Sequence, residues 1–580
     1  MDGFTVGRTV AWADGSWADG AGADGSGCAA LGGGLVGGAV GGALGRAVVD
    51  SMAPAGADPP LSHPARDTAA SSTAAAAPGA RIARTPTSAG HRYRPRVWRP
   101  RPATESTPED DIHRTAPWRW LPPLLTVLLL GLWGLERGPG GGSMWRDEST
   151  TWQVAHRPAG ALRDLLGQVD AVHGLYYALM HLVFGLWGDG GLWALRLPSV
   201  AGTALAAAGV AAVAHRLAGE RAALWAGVTY ALLPPVQMYG QEGRSYALVA
   251  AAVAWATYLM LRERWAAYAA VLLLGCWLHE FAVLALLAHG CAAGRVRGWR
   301  WAAGAVAAGL LPLAVLSAGQ AERQLGWLGR PGWEDWAAYG GVVGVVLLLV
   351  WGGGGGGGGV LGAGSGSGAG SAELVRVAVP LALLPPGLLM AVSLVHPWYV
   401  DRYVLYALGG LALLAGAGLA GVRGWVPWVL VAVLLVPLGV WSAWLRTPDS
   451  RKDDVLAVAA AVREKARPGD AVLFMPSRRR EWLLSSPGLY AGLRDVALAD
   501  TPATSHTLHG TELPPDRVRE ALRASPRVIA LLDPEGQPLD PYPTESAKRE
   551  TLSADFARCS VTEVRGARVA VYARRGGGCG

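Results

Sequence analysis

Charged residues are scarce in this chain. Only 16% of its 580 residues are charged, while 51% are hydrophobic. A soluble protein of this length needs more polar surface than so few charges provide, so the composition excludes an ordinary soluble protein. Apolar runs of about 20 residues, long enough to cross about 30 Å of hydrocarbon, recur between Leu121 and Leu445. The sequence therefore predicts an integral membrane protein.

Cysteine is also rare, and its spacing carries no metal or redox signature. None of the five cysteines forms a CxxC pair. Cys276 and Cys291 lie in apolar segments, where a cysteine usually packs as a small hydrophobic side chain. A disulfide between Cys559 and Cys579 is an open alternative if this part lies outside the cell, although the Gly-rich context of Cys579 disfavours it.

The chain also lacks the phosphate-binding loop of nucleotide enzymes. Its octaglycine run, Gly352–Gly359, has no strand, Lys and helix in the required order, so a nucleotide-sugar donor is not indicated. Much of the net charge of +7 lies beside the apolar runs and in the Arg-rich segment 91–101. Membrane orientation accounts for such positive charge, and we predict no nucleic-acid partner.

Three regions differ in composition. Residues 1–117 are rich in Gly, Ala, Ser, Thr and Pro without periodicity, which predicts a disordered cytoplasmic segment. Residues 118–446 hold the apolar runs and form the transmembrane domain. Residues 447–580 read as a small α/β domain with a Gly-rich tail. Its patterns predict helices at 454–467 and 515–524 and strands at 471–475, 528–532 and 569–573.

Arginine clusters indicate how the spans are oriented. The cluster before the first span, 118–135, predicts a cytoplasmic amino end, which places Asp147 outside. The next apolar stretch, 174–187, reaches only about 21 Å and is predicted to be an interfacial or re-entrant helix. About eleven transmembrane helices are predicted in total, the first at 118–135 and later ones including 192–214, 222–238 and 246–261, with an extracytoplasmic C-terminal domain in a plasma membrane. Segments 265–278 and 281–293 are either two half-length helices or one long helix.

This topology gathers polar residues from separate apolar runs at the outer membrane surface. They are Asp147, Glu148, Asp170, His173, Tyr176, Tyr177, Arg196, Gln241, Glu242, Arg244, His279, Asp401, Arg402 and Tyr403. Any one of them by itself also fits a residue that anchors a helix end among the lipid headgroups. The convergence of several such clusters on one face favours an active site.

Several of these residues lie in short motifs. The motifs are Arg146–Glu148, Asp170–Tyr177, Leu195–Ser199, Gln241–Tyr246, the break at His279, and Asp401–Tyr403. Together they make residues 118–444 resemble the polyprenyl-phosphate-sugar dependent glycosyltransferases of the multi-spanning C-type fold. This is the family 39 group of protein mannosyltransferases and aminoarabinose transferases. Relatives usually read His-Pro-Pro-Leu-Tyr where this chain has His173-Gly-Leu-Tyr176, a departure that affects the local backbone more than the chemistry.

The resemblance implies an all-α polytopic fold and a transferase. A hexose, with mannose as first choice, would move from a polyprenyl-phosphate-linked donor to an acceptor hydroxyl of a protein, glycan or glycolipid, with inversion. Asp147 would be the general base, with Glu148 as its catalytic neighbour. The donor phosphate would be bound by Arg402, Arg244 and Arg196. The substrate site would be lined by His173, Tyr176, Gln241, Glu242 and Tyr403.

The metal and the function class have alternatives. No cofactor is required, but His279 with Glu148 or Glu242 is a candidate divalent-metal site, against a plain hydrogen-bonded histidine. A transporter or lipid flippase without glycosyl transfer would also have many spans and embedded polar groups. Such proteins place ionisable residues near the midplane, often in paired halves, and this chain shows no internal repeat. A scaffold for the C-terminal domain is the third class.

Overall fold

The chain is mostly helical, with a mixed sheet in its C-terminal part. The computed structural model describes residues 119–132, 143–188, 191–325, 328–351, 368–422 and 425–579. The predicted disordered segment 1–117 and the octaglycine run lie outside the described residues. The helices before the sheet are α1 (Leu121–Thr126), α2 (Arg146–Ala155), α3 (Ala159–Gln168), α4 (Gly174–Trp187), α5 (Gly191–Ala218), α6 (Glu220–Leu232), α7 (Pro234–Tyr239), α8 (Tyr246–Leu261), α9 (Trp265–Leu278), α10 (Leu284–Ala293), α11 (Arg297–Ala318), α12 (Ala321–Leu325), α13 (Trp333–Trp351), α14 (Gly368–Val392), α15 (Leu408–Gly421) and α16 (Val426–Trp444).

Within the described residues, five helical segments are long and apolar enough to cross a membrane. They are α5, α11, α13, Gly370–Val392 in α14, and Asp401–Gly421, which joins a 3-10 segment to α15. Large apolar side chains such as Trp301, Trp333 and Leu348 are exposed on these segments, as lipid-facing residues are. The structure is therefore that of a multi-pass membrane protein.

Among the other predicted crossings, 246–261 and 265–278 have the predicted bounds as α8 and α9, whereas another is interrupted. The predicted span 222–238 is broken at Leu233, because Pro234 starts a new helix and disfavours helical backbone at the residue before it. Helix α4 has the predicted bounds and 14 residues. Helices α9 and α10 are separated by His279 and a 3-10 turn, Glu280–Val283, so the two-helix alternative is correct.

Small residues allow the membrane helices to pack closely. A side-chain carbon at Gly416 of α15 would lie 2.5 Å from backbone nitrogen of Ala226 in α6. At Gly202 of α5 it would lie 2.9 Å from the backbone nitrogen of Leu248 in α8. Glycine at such crossings lets two backbones approach, which is how helices gain packing energy inside a bilayer.

The C-terminal part forms a small α/β domain around a five-stranded sheet. Its elements are α17 (Val455–Lys465), β1 (Ala471–Met475), α18 (Glu481–Leu484), α19 (Pro487–Ala491), β2 (Arg494–Asp495), β3 (Leu498–Asp500), β4 (Thr511–Glu512), α20 (Pro515–Arg523), β5 (Arg527–Leu532), α21 (Pro543–Asp555), β6 (Phe556–Val564) and β7 (Ala567–Arg574). The strand order is β2-β1-β5-β7-β6. Strand β1 runs parallel to β2 and β5, whereas β7 runs antiparallel to β5 and β6.

All five elements that the sequence predicted in this domain are confirmed, as α17, β1, α20, β5 and β7. The sequence analysis missed α21 and the edge strand β6, whose polar composition carries no apolar run. Cys559 of β6 and Cys579 form a disulfide, so the disfavoured alternative is correct. Cys276 is free and buried, whereas Cys291 is free and exposed.

Candidate active site

Helix α2 presents two faces to two different parts of the molecule. Arg146, Ser149 and Gln153 lie on one face and form hydrogen bonds with the C-terminal domain. Asp147 and Thr151 lie on the other face and approach arginines from the membrane helices. This division follows from helical geometry, since residues three or four apart lie on the same face. The motif Arg146–Glu148 therefore stands between the two domains.

Asp147 is surrounded by arginines from distant parts of the chain. One of its carboxylate oxygens, Oδ2, lies 3.4 Å from a terminal nitrogen of Arg402 and 4.0 Å from one of Arg244. Its other oxygen lies 3.9 Å from Nε of Arg146. The structure thus brings together the carboxylate and two of the three phosphate-binding candidates that the sequence named.

The positive charge determines the protonation state of Asp147. Burial by itself would raise its pKa, but the charges of Arg244, Arg402 and Arg146 outweigh burial and lower the pKa below the ordinary value of 3.8. Asp147 is therefore ionised at neutral pH. An ionised carboxylate is the form that a general base needs before it accepts a proton.

Glu148 is engaged in a buried ion pair with Arg196 of α5. Nε of Arg196 lies 2.7 Å from Oε1 and a terminal nitrogen lies 2.8 Å from Oε2. The backbone N–H of Gly243 also donates to Oε1, at 2.9 Å, and Arg196 donates to the carbonyl of Ser143. Burial would raise the pKa of Glu148, but the charge and hydrogen bonds of Arg196 outweigh it and lower the pKa. Both side chains therefore tie α2 to α5.

Arg244 lies in the loop between α7 and α8, next to the turn that precedes α4. Its terminal nitrogens lie 2.8 Å from Nε2 of His173 and 3.3 Å from both the hydroxyl of Tyr177 and that of Thr151. Tyr177 in turn donates its hydroxyl proton to Asp170. Nε of Arg244 is buried and has no hydrogen-bond partner among the residues that the structure describes.

Arg402 lies in the 3-10 segment Asp401–Ala407 and is surrounded by aromatic rings. Its guanidinium carbon lies 5.3 Å from the ring centre of Trp145, 5.7 Å from that of Tyr246 and 5.8 Å from that of Tyr403. Nε of Arg402 also donates to the Tyr246 hydroxyl at 3.2 Å. These contacts orient a planar cation beside Asp147, which suits a phosphate oxygen or a sugar face.

Of the remaining substrate-binding candidates, one lies beside Arg402 and two form contacts elsewhere in the fold. Tyr403 packs on His279, with ring centres 4.4 Å apart, and its ring also faces the guanidinium of Arg402. Gln241 donates to the carbonyl of Gln237, at 2.9 Å, within its own chain segment. Tyr176 is fully buried in the core.

Glu242 is held by an arginine from beyond the last membrane helix. One carboxylate oxygen pairs with Arg451, and the other has no hydrogen-bond partner in the described part of the chain. Burial raises the pKa of Glu242 to about 7, in spite of the charge of Arg451. Glu242 is therefore a buried carboxyl group in the same loop as Arg244, and it titrates near neutral pH.

The residues around His279 do not fit a metal site. Nδ1 of His279 is buried and finds no hydrogen-bond partner in the ranges that the structure describes, and the ring centres of His279 and His173 lie 5.6 Å apart. Glu148 is committed to Arg196, and Glu242 to Arg451. No group of at least three metal-ligating side chains converges anywhere among the described residues. We therefore derive no metal-dependent step.

Sequence reasoning missed the contribution of the C-terminal domain. Asp453 accepts a hydrogen bond from the backbone N–H of Arg146, at 2.8 Å, and Arg451 pairs with Glu242. Glu481 also contacts α2. Its backbone carbonyl accepts a hydrogen bond from the hydroxyl of Ser149, and its carboxylate accepts one from the hydroxyl of Thr150. No spacing in the sequence connects residues that lie 307 or 332 positions apart.

Comparisons with known proteins found similarity in structure but not in sequence. No protein-family model matches the chain, and no curated protein matches it. The structure is similar to that of ArnT from Cupriavidus metallidurans bound to undecaprenyl phosphate, at 13% identity and a TM-score of 0.45, covering 79% of this chain and 98% of ArnT. It is also similar to the oligosaccharyltransferase of Archaeoglobus fulgidus, at 12% identity and a TM-score of 0.40, covering 71% of this chain and 67% of that one.

A third similar structure is the arabinofuranosyltransferase AftD from Mycobacteria, at 16% identity and a TM-score of 0.37. The match covers 79% of this chain and 42% of AftD. Similarity to structures of this kind is the outcome that the motif resemblance predicted.

Proposed function

We propose that the protein is a membrane glycosyltransferase that moves a hexose from a polyprenyl-phosphate-linked donor to an acceptor hydroxyl. The observation that carries the proposal is the contact of Asp147 with both Arg244 and Arg402. A group that accepts a proton and two groups that bind phosphate lie within one small space. Inverting transfer needs both, on opposite sides of the anomeric carbon.

The charge around Asp147 suits a phosphate ligand. In each of the ion pairs Glu148–Arg196 and Glu242–Arg451, the negative charge of the acid offsets the positive charge of the arginine. Three arginines, Arg146, Arg244 and Arg402, then surround Asp147, and burial raises the pKa of the neighbouring carboxyl groups Asp170 and Asp453, which favours their neutral forms. The positive charge therefore exceeds the negative charge, and the single negative charge of a sugar-phosphate diester reduces the excess.

The positive charge of Arg244 and Arg402 acts at two steps of the proposed reaction, donor binding and departure of the phosphate. Donor binding draws Arg244 and Arg402 toward the phosphate, and their reduced hold on Asp147 raises its pKa and its basicity. The acceptor hydroxyl transfers its proton to Asp147 as its oxygen bonds to the anomeric carbon. The sugar–oxygen bond to phosphate breaks, and the arginines stabilise the second negative charge that develops on the leaving polyprenyl phosphate.

In this proposal Glu148 and Arg196 are positioning residues and not catalytic ones. Both are committed to each other, with side chains 0% and 5% exposed. The donor phosphate is assigned to Arg402 and Arg244, and the sugar to His173, Tyr403 and the Glu242 oxygen that has no hydrogen-bond partner among the described residues. The rings of His173 and Tyr403 both lie against His279. The hexose is mannose as first choice, and the acceptor is a protein, glycan or glycolipid.

The test is transfer of radiolabelled mannose from a mannosyl polyprenyl phosphate by the purified protein in lipid vesicles. The wild type should form a labelled covalent product, and Asp147→Asn should lower the rate by about 10²- to 10⁴-fold. Asp164→Asn is the control, because Asp164 is an exposed acid on α3. Label that crosses sealed vesicles without entering a product would overturn the proposal in favour of a transporter or flippase.

A further inference from the structure

The segment that connects the last membrane helix to the C-terminal domain contacts both elements that carry the site. We call residues 451–455 the strap. Within it, Arg451 pairs with Glu242, in the loop that also carries Arg244. Asp453 and Val455 contact the start of α2, because Asp453 accepts the N–H of Arg146 at 2.8 Å and the N–H of Val455 donates to the carbonyl of Met144 at 2.7 Å. The strap therefore bridges the general-base candidate and a phosphate-binding candidate.

Asp453 acts as a helix cap supplied from another domain. The first N–H groups of a helix have no partner within the helix. The side chain of Trp145, at the N-cap position of α2, caps no N–H group, although Glu148 accepts the N–H of Trp145 itself at 3.4 Å. The N–H of Arg146 is accepted by the carboxylate of Asp453. A carboxylate at this place also interacts favourably with the helix dipole. Since Asp147 follows Arg146 directly, the cap fixes the turn from which Asp147 projects.

The strap is itself held in place by the C-terminal domain. Arg565 donates to the carbonyl of Arg451 at 3.4 Å, and the carbonyl of Arg565 accepts the N–H of Asp454 at 3.1 Å. Asp454 in turn caps α17 through the N–H of Ala457, at 3.0 Å. The position of the strap is thereby fixed by the fold of the C-terminal domain, and a displaced domain would release both contacts.

We propose that Asp453 and Arg451 are positioning residues that set the placement of Asp147 relative to Arg244, so that the C-terminal domain is a structural part of the active site. The effect on the placement of α2 is independent of the reaction. Its consequence for catalysis rests on the proposed function.

The first experiment measures hydrogen–deuterium exchange in the full-length protein in lipid nanodiscs. Asp453→Ala should raise the exchange rate of peptides from residues 143–150 by about tenfold or more, because the first turn of α2 loses its cap. Asp453→Asn should raise it less, since an amide oxygen still accepts the N–H. Asp516→Asn, which changes an Asp on α20 with a 95% exposed side chain, is the matched control. Exchange in Asp453→Ala equal to that of the wild type would overturn the proposal.

The second experiment separates positioning from general stability. With the mannosyl donor, Asp453→Ala should lower kcat tenfold or more while KM stays within twofold, and Asp453→Asn should recover part of the loss. A normal kcat in Asp453→Ala, despite faster exchange in α2, would overturn the catalytic part. If Asp453→Ala does not fold, Asp453→Asn and Arg451→Lys carry the same test. If the wild type transfers no sugar, the proposed function fails, and the exchange result alone decides whether the strap positions α2.

Discussion

Asp147 lies among more positive charge than it can neutralise, and the two arginines on its Oδ2 side differ in their surroundings. Arg244 is held by His173, Tyr177 and Thr151, whereas Arg402 is held by aromatic faces and the Tyr246 hydroxyl. A flat guanidinium can stack on rings and still offer a parallel pair of donors to phosphate, which an ammonium group cannot do. The chemical identity of Arg402 should therefore matter as much as its charge.

We expect Arg402→Lys to lower kcat/KM for the polyprenyl donor by roughly ten- to a hundredfold, although the positive charge is retained. Steady-state kinetics with a range of donor concentrations measures this. Arg517→Lys serves as the control, because the side chain of Arg517 is 70% exposed on the C-terminal domain. A charge-only role for Arg402 would leave both variants close to the wild type.

Glu148 provides a second prediction for a single residue. Its ion pair with Arg196 is buried, so removing one partner leaves the other charged and desolvated, at a cost of about 3–5 kcal/mol. We expect Glu148→Gln to lower the thermal unfolding midpoint and the yield of folded protein. Glu520→Gln, in an exposed pair with Arg517, should change stability by less than about 1 kcal/mol. A Glu148→Gln protein with normal stability but no activity would restore Glu148 as a catalytic residue.

At the scale of elements, some of the contacts of helix α2 were predictable from the sequence and others were not. The sequence placed Asp147 beside an apolar run and grouped it with Arg244 and Arg402, because all three follow or precede apolar segments that a membrane would order. It did not indicate that Glu148 pairs with Arg196, since which of two adjacent acids faces which arginine depends on the rotation of α2. The cap from Asp453 was also unpredictable, because a contact between distant segments leaves no local pattern.

The first and last residues of an element were predictable where an apolar run begins and ends with the element. The bounds of α4 and β1 were predicted from their apolar residues, and the proline at 234 accounts for the break that the sequence analysis missed. Strand β6 was missed because an edge strand needs less apolar character than a central one, so its residues resemble a loop. How the helices cross could not be deduced, since it depends on where small residues of two helices coincide.

That coincidence leads to a prediction for helix packing. Alanine normally favours a helix over glycine by about 1 kcal/mol, but at Gly416 the added carbon meets the backbone of Ala226 at 2.5 Å. We expect Gly416→Ala to lose about 1–3 kcal/mol through separation of α6 and α15. The carbon added by Gly344→Ala in α13 meets no atom of the described residues within 4 Å, so this variant should be neutral or stabilising. Unfolding midpoints of the two purified variants make the comparison, and equal midpoints would contradict this account of the crossing.

At the scale of the whole molecule, the two domains meet at α2 and share the site. The membrane domain supplies Arg244 and Arg402. The C-terminal domain supplies Asp453, Arg451 and the contacts of Glu481. This arrangement explains why the sequence could predict the composition of each domain but not their dependence on one another. The polar contacts that join the domains are built from residues that also suit an ordinary solvated surface.

The contact between the domains should respond to pH through Asp453. Burial raises the pKa of Asp453 from 3.8 to about 6, in spite of the charges of Arg146 and Arg479 and with a further upward contribution from Asp147. A carboxyl group whose pKa is higher in the docked protein binds a proton on docking. Its contribution to stability is therefore complete below about pH 3.8 and is lost as the pH rises through about 6.

We therefore expect the wild type to lose stability relative to Asp453→Asn as the pH rises from about 4 to about 7. Glu242, with a pKa of about 7, is present in both proteins, so its titration cancels in the difference. Thermal unfolding of both proteins at matched ionic strength measures the effect, and α2 exchange localises it. A difference between the two proteins that does not vary with pH would mean that Asp453 keeps one protonation state throughout. The cap would then join the domains without making their contact sensitive to pH.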